Sequence, residues 1–128
     1  MGIKYILFSI SIILLSVIVA RGKEESIALN PLTSFYDLNS LLINGDAVSM
    51  SEYRGKKILI VNVASKCGLT PQYKELEELS QKFSKELIVL GFPSNDFLRQ
   101  EPGSNEEISN FCSRNYSITF PLFEKSKV

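Results

Sequence analysis

With 128 residues, 45% of them hydrophobic, and 14 basic against 14 acidic side chains, the chain has the size of one packed domain and no net charge or charged block to suggest a nucleic-acid or acidic-lipid footprint. It contains no histidine, which excludes Ser-His and Cys-His dyads, histidine-ligated haem and most catalytic zinc sites. Its two cysteines, Cys67 and Cys112, form no CxxC pair, which excludes a zinc ribbon or an iron–sulfur cluster and leaves cysteine as the obvious nucleophile.

Residues 1–20 carry one charged side chain, Lys4, before an apolar stretch over 5–20 that is interrupted only by Ser9, Ser11 and Ser16. The pattern predicts a signal peptide, with Ile18 and Ala20 at the −3 and −1 positions of a cleavage site and Arg21 as the new N-terminus; an uncleaved membrane anchor is the rival reading. Either way the domain is expected outside the cytoplasm, exported to a compartment where a two-cysteine chain readily holds a disulfide. Residues 21–33 are mostly polar and without periodicity, as in a linker, and the domain is expected from Ser34.

Residues 35–38 have the composition of a short strand. Residues 41–43, Asn44-Gly45 and residues 47–50 predict a hairpin with a type I′ turn. Residues 58–63, β-branched and apolar except for Asn62, predict a buried strand, and Pro71 suits the first turn of a helix over about 71–83. Tyr73, Leu76, Leu79 and Phe83 share one face of that helix. Cys67 falls between the two elements, where N–H groups left unpaired at a helix start, with the helix dipole, favour a thiolate over a thiol.

Residues 87–92 form a second apolar run of strand length, so a strand–helix–strand order predicts a parallel crossover and an α/β fold. Residues 93–103 read as a loop. Ser104 and Glu107 make a capping box before a helix on which Ile108, Phe111 and Cys112 share the apolar face, turning Cys112 inward. Residues 118–123 resemble a further strand, with Pro121 marking an edge or a bulge.

Three ordered motifs carry a family resemblance: VNVASKCGLTPQY over 61–73, GFPSN over 91–95 and QEPGSNEEI over 100–108, followed by Phe111-Cys112 and by FPLF over 120–123. From residue 34 to 128 the chain resembles the glutathione peroxidase family. The resemblance implies a thioredoxin-like fold, a mixed central sheet with flanking helices, and reduction of hydrogen peroxide or organic hydroperoxides at Cys67 through a sulfenic acid. It implies that Cys112 is the resolving thiol, that the Gln100 amide stabilises charge as the O–O bond breaks, and that the reductant is glutathione or a thioredoxin-like protein. No metal or bound cofactor is implied.

The chain departs from the family pattern in two places. Where the family usually reads CNQFG, residues 94–98 are Ser94, Asn95, Asp96, Phe97 and Leu98, which brings an acid near the site and removes a flexible glycine. The chain also stops before the later motif that holds the family's active-site tryptophan and asparagine, so a fragment or truncated product lacking the last strand and helix is expected, with a degraded relative of reduced stability and activity as the rival reading. Beside the peroxidase reading stand an exported thioredoxin-like binding domain stapled by a structural Cys67–Cys112 disulfide and a disulfide oxidoreductase, against which Thr70 weighs because it stands where a CxxC pair needs its second cysteine.

Overall fold

The computed structural model describes residues 33–128. The expected signal segment and all but the last residue of the expected linker lie outside the described residues. At the start of the domain a 3-10 turn, Phe35–Asp37, replaces the strand expected over 35–38. The Ser34 hydroxyl caps it by accepting from Tyr36 N, and the Tyr36 ring packs edge-on to Phe35 on one side and under the Arg54 guanidinium, 4.3 Å from the ring centre, on the other.

The hairpin forms, its first strand two residues earlier than expected and its second one residue shorter, with β1 (Asn39–Leu41) antiparallel to β2 (Ala47–Ser49). Its turn is not type I′, because Gly45 alone takes a positive φ, +90°, while Gly45 N bonds Leu42 O and Leu42 N bonds Asp46 O, both at 2.8 Å. Asn44 instead spends its side chain on Asp46, accepting from its N–H at 3.1 Å and donating to its carboxylate at 2.7 Å. A second 3-10 turn, Met50–Tyr53, then ends the hairpin at Ser49, whose capping box with Glu52 takes Met50 out of the strand.

The centre is the predicted strand–helix–strand unit: β3 (Lys57–Val63), α1 (Gln72–Lys82) and β4 (Leu87–Pro93), with β3 and β4 parallel and paired Lys57 to Leu87 through Val63 to Pro93. The expectation of a buried β3 holds only at Val63 and in part at its neighbours: Ile60 is 55% exposed and Asn62 is exposed, since β4 is the only strand paired with β3 among the described residues. β4 carries the core by alternation. Val89 packs with Val63, Tyr73 of α1, and Ile108 and Cys112 of α2 (Asn105–Tyr116), whereas Leu90 packs on the other face with Val48, Met50 and Phe123. α2 begins at its predicted capping box, Ser104 N donating to Glu107 Oε2 at 2.7 Å and Glu107 N to Ser104 Oγ at 3.2 Å.

The strand expected over 118–123 contracts to two bridges, Leu122 parallel to Gly91 and Phe123 antiparallel to Leu42. Gly91 N donates to Pro121 O and Phe123 N to Gly91 O, both at 2.9 Å, while Ile43 N donates to Leu122 O at 2.8 Å. This short segment therefore joins the parallel pair to the hairpin as one mixed sheet. Gly91 permits the approach: a Cβ there would stand 2.7 Å from Leu122 Cδ2 and 3.1 Å from Phe120 Cε2. Just before it, Glu77 of α1 accepts from the Thr119 N–H at 2.9 Å, from its hydroxyl at 2.6 Å and from Gln81 at 2.8 Å. Partial burial works to raise the Glu77 carboxyl, and these donors outweigh it and hold it below the usual carboxylate range.

Candidate active site

Cys67 lies in the turn between β3 and α1, shaped by a side chain that the composition does not flag. The Thr70 hydroxyl accepts from Cys67 N and donates to Ala64 O, each at 2.9 Å, and Thr70 N returns to Cys67 O at 3.1 Å. This closes the chain into a compact loop that holds the cysteine away from the strand. α1 begins only at Gln72, so the donor nearest the sulfur is not a helix N–H. Cys67 Sγ accepts from Leu69 N, in the turn itself, at 3.4 Å.

Cys67 and Gln100 open into the same cleft, about 190 Å³ in volume, whose walls include Val61, Val63, Tyr73 and Phe97. The two loops that carry them are joined by a backbone bond, Lys66 N to Gln100 O, at 3.0 Å. Beside this bond the Glu101 carboxylate, with no solvent exposure, accepts from Ser65 N at 2.8 Å and from the Ser65 hydroxyl. The sequence gives no sign of this, since a glutamate before Pro-Gly reads as an exposed loop residue.

The acid expected to crowd the thiol turns elsewhere. Asp96 is exposed, its carboxylate accepts from Val128 N at 2.9 Å, and it forms no part of the cleft wall. Leu98, which stands where the family has its glycine, and Arg99 take φ of 53° and 54°, a left-handed conformation that a side chain disfavours, and Leu98 is 87% exposed. Leu98→Gly is expected to raise stability by about 0.5–1 kcal/mol, strain relief exceeding the added flexibility of the unfolded chain. A urea midpoint that moves up at constant slope checks this, and one that moves down contradicts it.

Cys112 is not brought to the cleft. It is 1% exposed on the inward face of α2, and both cysteines are free thiols. Burial pushes the Cys112 thiol up; the neighbouring Tyr73 hydroxyl opposes this, and the Glu101 charge adds to it. The Tyr73 hydroxyl is itself buried beside that sulfur without a well-formed hydrogen bond of its own.

The thiol and the amide, carried on two loops, face one cleft beyond the end of a parallel strand, and the loop of the thiol begins ASKCG after Val63. The family model described as glutathione peroxidase matches residues 35–128. The chain belongs to the glutathione peroxidase family. It is 55% identical over 97 residues to glutathione peroxidase-like peroxiredoxin 2 of Saccharomyces cerevisiae, covering 75% of this chain and 60% of that protein. It is 49% identical over 96 residues to a glutathione peroxidase of Lactococcus lactis, covering 74% of this chain and 61% of the relative. Among solved structures, Trgpx in its apo form is 36% identical with a TM-score of 0.51, over 73% of this chain and 54% of that one. The chain thus spans about three fifths of the length of the curated relatives it matches. The thioredoxin-like α/β architecture expected of the glutathione peroxidase family is the one observed, with a mixed sheet and both helices on one face of it.

Proposed function

We propose that this chain is a thiol-dependent peroxidase. The observation that carries the reading is the shared cleft of Cys67 and Gln100 in a chain of this family. The Cys67 thiolate attacks one oxygen of a hydroperoxide, the O–O bond breaks, and the departing hydroxide or alkoxide takes up a proton to leave as water or an alcohol. Cys67 becomes a sulfenic acid, and the Gln100 amide donates to the oxygen on which charge develops. The apolar walls, Val61, Val63 and Phe97, suit an organic hydroperoxide as well as hydrogen peroxide.

Cys112 then attacks the sulfenic sulfur, releasing water and leaving a disulfide that glutathione or a thioredoxin-like protein reduces. Because Cys112 starts inside the core, α2 must shift or partly unwind before the two sulfurs meet within disulfide geometry. The apolar segment over 5–20 supports an exported domain, cleaved after Ala20 or anchored by that segment.

Intact-mass analysis of the reduced protein after one equivalent of hydrogen peroxide tests the reading. Loss of two hydrogens in the parent, and gain of one oxygen in Cys112→Ser, is the expected result. Thiols that stay reduced for hours overturn the peroxidase reading and favour a binding domain; a disulfide that forms with α2 clamped by a crosslink overturns the required helix movement.

A further inference from the structure

We infer that Glu101 is a positioning residue for the reaction at Cys67: its buried carboxylate fastens the Cys67 loop to the Gln100 loop and fixes how thiol and amide face each other. The inference rests on the peroxidase reading above. Burying a carboxylate away from water is unfavourable unless hydrogen bonds replace the lost solvation, and no basic side chain pairs with Glu101 among the described residues. The donors to its two oxygens come from one residue, Ser65, through its N–H and its hydroxyl.

Ser65 and Lys66 immediately precede Cys67, and Lys66 N bonds the Gln100 carbonyl. Residues 65 and 66 are thus held at three points by residues 100 and 101. The Glu101 backbone is anchored in turn, its N–H donating to Asn95 Oδ1 at 3.0 Å, while Lys125 Nζ donates to the Glu101 and Gly103 carbonyls at 3.5 and 2.5 Å. A carboxylate accepts on both oxygens and donates nothing, so it can take both Ser65 donors at once; an aliphatic side chain of similar size would leave the Ser65 N–H unpaired and the two loops joined only through Lys66. Glu101 has no exposure and does not line the cleft, so it touches no substrate and acts only through the loops.

The test uses Cys112→Ser as parent, in which Cys67 is the sole thiol, and compares its rate constant with hydrogen peroxide against that with iodoacetamide, which needs a thiolate but no aligned amide. Glu101→Leu is expected to slow the peroxide reaction by about 30-fold or more, because attack depends on alignment, while alkylation changes by less than about threefold. Glu101→Gln is expected to stay within about fivefold of the parent, since its amide oxygen still accepts from Ser65 N and its NH2 can donate to the rotated Ser65 hydroxyl. Should Glu101→Leu not fold, Ser65→Ala serves in its place, losing about fivefold toward peroxide with an unchanged far-ultraviolet spectrum and alkylation rate.

Peroxide and alkylation rates that fall in parallel, a Glu101→Gln protein as slow as Glu101→Leu, or a peroxide rate untouched by every variant would each overturn the positioning role. A parent whose Cys67 never reacts with peroxide overturns the peroxidase reading itself, so the two failures are distinguishable.

Discussion

Replacing Cys67 by serine is expected to reduce hydrogen peroxide consumption to the rate of a thiol-free control, a loss of about 1,000-fold or more, equivalent to more than about 4 kcal/mol at the barrier. In the proposed reaction sulfur is the atom that is oxidised, and a serine hydroxyl offers neither the nucleophilicity nor the oxidation chemistry to replace it. No compensating base is at hand, since the chain contains no histidine to activate the hydroxyl. Cys112 cannot act in its stead while α2 is formed, because it is 1% exposed and its thiol is pushed up by burial. A coupled assay with excess reductant, run beside Cys112→Ser, checks this. Retention of more than about a tenth of the parental rate in Cys67→Ser would mean that another group is the nucleophile.

Phe123→Ala is expected to lower stability by about 3–5 kcal/mol, enough to unfold much of a domain of ordinary stability. Phe123 has no solvent exposure and stacks on Phe92 with ring centres 4.2 Å apart and planes within 7°. It fills the space between Leu90, Val48 of the hairpin and Met50 of the 3-10 turn that follows it, and its backbone bonds Gly91. Truncation leaves a cavity in the smaller half of the core and slackens the segment that unites the sheet. The residues after it hold the site loop, Ser126 N bonding Pro93 O at 3.0 Å and Lys125 Nζ the carbonyls of Glu101 and Gly103. The loss is therefore expected to appear both in urea denaturation and as a slower reaction of Cys67 with peroxide. A change below about 1 kcal/mol would show that the bridge over 122–123 is not structural.

The β3–α1–β4 unit and α2 were legible because each is written locally: an apolar run, a helical stripe beginning at Tyr73, and a capping box at Ser104 whose two bonds depend on residues three apart. The short elements were not. Residues 35–38 have strand-like side chains, but the Ser34 cap and the Tyr36–Arg54 contact favour a 3-10 turn. Asn44-Gly45 admits two turn types, and the Asn44–Asp46 bond selects against type I′.

At the candidate site the residue types, Cys67 and Gln100, were readable from the motifs around them, whereas their supports were not. In the sequence Thr70 stands only where a CxxC pair would have its second cysteine, yet its hydroxyl shapes the loop. By itself the sequence determined the long elements, β3, α1, β4 and α2, and which side chains can do redox chemistry, because those depend on near neighbours and on intrinsic reactivity. Only the tertiary structure decided that Asp96 turns from the thiol, that residues 122–123 complete the sheet, and that Glu101 is buried against Ser65. Each of these rests on a partner distant in the chain, Val128, Gly91 and Leu42, and Ser65, whose proximity is created by packing alone.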